Sequence, residues 1–371
     1  MPRLALRSHA LALVTASALL LTAGCAAPGS SAQPEQTAVT GPRAPLGELD
    51  VLENPREWVG ASTAILENTT IDPVADNPSP ALPVDITSRD LDGDRTVTVT
   101  DASRILPMDI SGSIAATVFA LGLGDNVVGR DISTTFPEAA DLPVVTSGGH
   151  SINSESVLAL RPSIVITDGT IGPTDVVLQL REAGITVVYV DAEAGLGAPA
   201  ELARQVSQAL GVEAAGELLV DRLDAEIAAV LADIESIRPE NPADRVRMLF
   251  LYLRGSSGIY YLFGEESGAD ELIEGLGGID VAGEIGWAGM RPMTDEALIA
   301  ADPDLILVMT GGLESVGGVS GLLASKPAIA LTRAGQNERF VDMADGEILS
   351  FGPRTAAVLD ALARAVYAPE S

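Results

Sequence analysis

His150, Tyr252 and Arg254 are the residues of this chain whose types and spacing suit coordination chemistry. The chain has two histidines, His9 and His150. His9 falls in a segment expected to be cleaved, so a zinc or manganese centre built on several imidazoles has no material. One imidazole can still serve as one axial ligand of a planar cofactor, although a lone histidine is more often hydrogen-bonded or simply exposed. His150 ends Thr146-Ser-Gly-Gly-His150 and is expected to open a helix, in a loop with little bulk around it. Tyr252 and Arg254 lie in Arg247-Met-Leu-Phe-Leu-Tyr-Leu-Arg254, which reads as a strand. Side chains alternate along a strand, so both project from one face. A guanidinium beside a phenol favours phenolate, a hard anionic ligand suited to ferric iron. The plainer reading is an aromatic packing residue with an unrelated arginine. Tyr260 and Tyr261 are the fallback ligands, and their adjacency turns only one of them towards any given side.

These residues need a scaffold and a compartment. Twenty-two basic against 52 acidic residues give a net charge of −30, which excludes nucleic acid as a partner. Lys326 is the only lysine, so the positive charges are almost all arginines, suited to bidentate contacts. Arg3 and Arg7 precede an apolar run from Ala10 to Leu21, and Leu21-Thr-Ala-Gly-Cys25 then holds the single cysteine. That is the pattern of a secretory signal peptide over residues 1–24 ending in a lipobox, with Cys25 the lipidated residue. No later stretch reads as a membrane span, so the mature protein is expected at the outer face of the cell membrane, held by lipid alone.

From Ala26 to about Pro83 the chain reads as a tether, of which Leu46 to Leu66 is apolar enough to dock on the folded body. Leu82-Pro-Val-Asp-Ile-Thr87 and Thr96-Val-Thr-Val-Thr100 flank Asp92-Gly93 as a β-hairpin. Asp90, Asp92 and Asp94 lack the glycine spacing of a calcium loop. Gly122-Leu-Gly124 lacks the third glycine of a dinucleotide site. Helix and strand patterns alternate from Ser113 to Val190 and again from Val246 to Tyr367, implying parallel sheets covered by helices. Between them, apolar residues keep helical spacing from Ala214 to Ile237, long enough to bridge two lobes. The two regions echo each other. Glu155-Ser-Val-Leu-Ala-Leu-Arg-Pro162 precedes the strand Ile164–Thr167, and Glu296-Ala-Leu-Ile-Ala-Ala-Asp-Pro303 precedes Leu305–Val308. The expected organisation is a lipidated tether over 25–81, an α/β lobe over 82–212, a bridging helix over 213–240 and a second α/β lobe over 241–371.

This arrangement resembles the class III, or cluster A, solute-binding lipoproteins of bacterial ABC importers for cobalamin, siderophores and haem, with two Rossmann-like lobes joined by one long helix. Val97-Thr-Val-Thr-Asp-Ala-Ser-Arg-Ile-Leu106, Thr146-Ser-Gly-Gly-His150 and Tyr252-Leu-Arg254 resemble the haem-receptor branch of actinobacterial haem uptake. The resemblance implies haem b as cargo, with His150 and Tyr252 as axial ligands from opposite lobes and Arg254 supporting Tyr252. Haem also needs apolar walls and cations for its propionates. Trp287, Met290 and Met293 in Gly286-Trp-Ala-Gly-Met-Arg-Pro-Met293 are candidates for the walls, and Arg291 for a propionate, with Arg104 and Arg130 behind it. Glu155 and Glu296 would dock on arginines of the two permease subunits, whose ATPase energises uptake. Surface proteins that deliver haem are further possible partners. No catalysis is expected. A siderophore or corrinoid receptor would need neither His150 nor the Tyr-Arg pair, and a secreted hydrolase is poorly supported without Gly-x-Ser-x-Gly.

Overall fold

The computed structural model describes residues 43–147, 149–191 and 193–369; the leader and Cys25 lie outside them. In the first half, Ile105–Met108, Ile164–Thr167 and Thr186–Tyr189 form a parallel sheet in that order. These short runs are apolar without polar alternation because helices cover both faces. Ile105, Ile164, Ile166 and Val188 face a core shared with helices Ser113–Ala120 and Ala198–Leu210. Leu106, Met108, Val165 and Val187 face another, closed by Val157, Val177 and Leu180 of helices Ser154–Leu160 and Thr174–Glu182.

The second half is built on a larger mixed sheet. Ser62–Thr63, Phe340–Met343, Leu305–Met309 and Arg247–Arg254 run parallel, and Ile259–Phe263 and Met290–Pro292 continue antiparallel. Alternation along Arg247–Arg254 sends Met248 and Phe250 to a core with helix Thr355–Tyr367, and Leu249, Leu251 and Leu253 to one with helix Asp295–Ala301.

Helix Glu213–Ile237 connects the halves over 25 residues, about 37 Å. Its early residues Ala215, Leu219 and Leu223 sit in the first core, and its late residues Val230 and Ile234 in the second. The echoed units share their fine structure. Ser154–Leu160 and Asp295–Ala301 are each seven residues long, capped by Asn153 and Thr294 and ended by left-handed Arg161 and Asp302.

Three sequence expectations change. Residues 43–81, expected as a tether in which Leu46 to Leu66 docks on the folded body, pack across both halves over a longer stretch than that. Leu46, Ala64 and Leu66 are buried in the second core and Ile71 in the first. Ser62–Thr63 extends the second sheet, and Val74 N–H donates to Ala120 O. These apolar residues are too widely spaced to show a period. Helix Ala198–Leu210 was not among the expected elements; its Pro199 suits a first helical turn. The stretch around Leu322 to Leu331, whose apolar pattern reads as one helix, is broken into Gly318–Ser325 and Pro327–Ala330 at the residue before Pro327.

Candidate ligand-binding cleft

His150 lies at the tip of a short hairpin, Thr146–Ser147 paired with Ser151–Ile152, rather than at a helix start. The following helix is capped separately by Asn153, whose side chain accepts from Ser156 N–H at 3.1 Å. Behind the ring, Ser133 Oγ stands 3.5 Å from His150 Nδ1. Asp131 shapes the loop that carries Ser133, its Oδ1 accepting the N–H groups of Ser133 and Thr134 at 2.7 and 2.9 Å. Partial burial, and then the positive Arg254 of the second half, hold the His150 pKa below its usual value. At neutral pH the imidazole is therefore neutral and keeps a lone pair for a metal.

Tyr252 comes from the second half, half-buried near the end of strand Arg247–Arg254. Phe263 stacks on it at 5.7 Å between ring centroids. Among the described residues no hydrogen bond engages its hydroxyl. Arg254 shares its face, as alternation required, and lies over the ring with Cζ 4.7 Å from the centroid. It does so because Nη2 donates to Asp345 Oδ2 at 2.6 Å and Nη1 to Leu253 O at 2.9 Å. Tyr261 sits directly across the ladder from Tyr252 and joins the same core face, whereas Tyr260 turns to the other side under Lys326.

The walls between the halves include residues that no motif announced. Ile110, Asp168 and Thr170 line a pocket from the first half, facing Met290, Leu349 and Phe351 of the second; His150 and Tyr252 are not among its lining residues. Met290 is 61% exposed and Ile132, beside Thr146, 48%. Exposed aliphatic side chains around a cleft supply apolar contact for a flat ligand. Strand–loop junctions ending in Gly or Ser were the sole signal for them. Asp345 was likewise missed, since Asp345-Gly346 reads as a turn.

Of the eight-residue stretch expected to build the second wall, only Met290 lines that pocket. Trp287 donates Nε1–H to Leu262 O at 3.1 Å and packs with Met293 on the outer core of the second half. Arg291 stands opposite Leu262 and so projects to that same side. Arg104 lies before strand Ile105–Met108 and donates to Leu160 O and Arg161 O. Arg130 is a loop clamp, donating to the carbonyls of Asp131 and Thr134. Glu155 and Glu296 are exposed in the first turns of their helices and make no ion pair among the described residues. One turn along each helix stands an exposed aliphatic residue, Leu158 or Ile299. A groove of about 770 Å³ elsewhere on the second half, walled by Glu265, Glu266, Asp270, Glu274 and Glu284, is anionic and holds none of the candidate ligands.

A family model described as periplasmic binding protein matches residues 110–345. A cobalamin-binding protein of Halobacterium salinarum is 25% identical over 282 residues, covering 74% of this chain and 73% of its own. The solved heme binding protein HmuT is 40% identical with a TM-score of 0.79, covering 85% of this chain and 99% of its own. The periplasmic heme-binding protein RhuT from Roseiflexus sp. RS-1, solved in apo form, is 37% identical with a TM-score of 0.65, covering 73% of this chain and 100% of its own.

Proposed function

The chain belongs to the periplasmic binding protein family, and from that premise we propose that it captures haem b outside the cell and passes it to an ABC importer. One observation carries the reading: a neutral imidazole, His150, on the first half and an arginine-backed phenol, Tyr252, on the second stand close enough for the Arg254 charge to act on His150. That donor set suits ferric haem, a hard phenolate oxygen on one side and an imidazole nitrogen on the other. Ile110, Ile132, Met290 and Phe351 supply apolar contact for the porphyrin faces. Asp168, Asp191 and Glu201 line the pocket between the halves, so the two propionates point away from these carboxylates. Solved variants of HmuT in which one arginine, one histidine or one tyrosine is replaced by alanine involve the same three residue types.

No catalytic role is part of this reading; the protein binds and releases its cargo. Lipidation at Cys25 holds it at the membrane. Glu155 and Glu296 meet cationic residues on two equivalent permease subunits, because the echoed helices present the same carboxylate in each half. A corrinoid is the second reading, favoured by the relative named for cobalamin. The test is the absorption of purified protein with ferric haem. A strong Soret band is expected, with Tyr252→Phe and His150→Ala each altering the visible bands in a different way. If both variants keep the wild-type bands, the ligand assignment is wrong, and Tyr261 is the tyrosine to replace next. No Soret band together with tight cobalamin binding would favour the second reading.

A further inference from the structure

We propose that Asp345 is a positioning residue for the Tyr252 site, and that the turn Asp345-Gly346 ties the geometry of that site to contact between the two halves. The proposal rests on the haem reading for its ligand. Arg254 has one carboxylate partner among the described residues, Asp345, at 2.6 Å. Asp345 is itself fixed, because its Oδ1 accepts Gly311 N–H at 2.8 Å. This pairing holds the guanidinium over the Tyr252 ring, with Cζ 4.7 Å from its centroid, where its charge lies beside any negative charge that forms on the phenol.

The neighbouring residue faces the other half. A methyl group added to Gly346 would come within 3.2 Å of Ser133 O and 3.1 Å of Thr135 Oγ1. Ser133 is the residue whose hydroxyl stands behind His150. One residue further, Glu347 accepts from Arg354, whose guanidinium lies 5.9 Å from the Phe136 ring of the first half. Two consecutive residues therefore connect the support of one axial ligand to the support of the other. Parting of the halves would withdraw Gly346 from Ser133 and strain the loop that aims Asp345 at Arg254. Haem would then lose both supports in one movement.

The experiment uses purified full-length protein and the variants Asp345→Asn, Arg254→Ala, their double mutant and Gly346→Ala. Asparagine keeps the shape of aspartate and can still accept from Gly311, so circular dichroism and thermal midpoint should stay near wild type for Asp345→Asn. Transfer of ferric haem to excess apomyoglobin should be about tenfold faster in each single variant, the size usual for loss of a supporting partner. The tyrosine-to-iron charge-transfer band should move in the same direction in Asp345→Asn and Arg254→Ala. The double mutant should match Arg254→Ala alone, since Asp345 acts through that arginine. Additive effects, or wild-type bands in Asp345→Asn, would overturn the positioning role. A wild-type transfer rate in Gly346→Ala would overturn the link to contact between the halves. A readout free of haem separates this from failure of the functional reading: in the apo protein, the Arg254 side-chain NMR signal should show slowed guanidinium rotation that is lost in Asp345→Asn. Fast rotation in the wild type would sink the pairing whatever the cargo.

Discussion

Asp131 accepts the N–H of Asp109 at 3.1 Å, and Asp168 lies close enough to feel the Asp109 charge, so three carboxyl groups share the floor beneath the His150 hairpin. Burial, and then the Asp109 charge, push Asp131 up to about 7, and the same two causes push Asp168 up to about 6. Burial raises Asp109 as well. In the unfolded chain these groups titrate near the ordinary carboxylate value, so between roughly pH 4 and 7 the folded state holds more protons. The stability they contribute is present at low pH and is lost as the pH rises through the folded values. The apo protein should accordingly melt at a higher temperature near pH 5.5 than near pH 8, and Asp131→Asn should flatten that difference. Thermal melts across the range check it; an unchanged slope in Asp131→Asn would show that other groups set the dependence. The three acids are far apart in sequence and no spacing announced them, because burial is a property of the fold.

At the level of elements, the strap formed by residues 43–81 is held to the second half by Arg339. This guanidinium is fully buried, and burial lowers its pKa to about 10. It donates to Ser62 Oγ at 2.8 Å and to Ala365 O and Val366 O at 2.9 Å each. Those carbonyls belong to the last turn of helix Thr355–Tyr367, which needs donors and favours a cation. Arg339→Met would take the guanidinium donor from Val366 O, while Ala365 O keeps Ser62 Oγ at 2.8 Å, and should cost on the order of 3 kcal/mol in urea unfolding, with earlier proteolysis within the strap. A loss below about 1 kcal/mol would mean that water replaces the guanidinium. The echoed helices make a separate prediction. Replacing Glu155 and Glu296 together by Ala should leave the haem spectrum unchanged and stop haem-dependent growth of cells, while each single change weakens it. Normal uptake by the double mutant would remove the docking assignment.

For the molecule as a whole, two connections cross between the halves on the described chain, the helix Glu213–Ile237 and the strap. A third restraint is the packing of Gly346 and Gly352 against Ser133, Thr135 and Ser113. A long helix with both ends buried resists bending, and the strap adds backbone hydrogen bonds on each side, so wide hinge opening is disfavoured. Small-angle scattering with and without haem should give radii of gyration that agree within about 1 Å. A larger compaction on binding would show that the crossings act as hinges.

Much of this architecture is legible in local sequence pattern. The strands Ile164–Thr167, Ile259–Phe263 and Leu305–Met309 and the helices Ser154–Leu160, Ala269–Gly275 and Asp295–Ala301 occur where apolar period, caps and prolines placed them. His150 and the Tyr252–Arg254 pair were singled out by short motifs that resemble the haem-receptor branch, with strand alternation putting Tyr252 and Arg254 on one face. What local pattern cannot state is which side of a sheet faces the cleft. That decided for Met290 and against Trp287, Arg291 and Met293, and it turned Tyr261 rather than Tyr260 towards Tyr252. Arginines were the least legible of all, because a guanidinium takes whatever carbonyl or carboxylate the fold brings near. Arg104 and Arg130 were claimed by backbone carbonyls, while Arg254 was given its orientation by Asp345, a residue 91 positions away that only tertiary structure placed beside it.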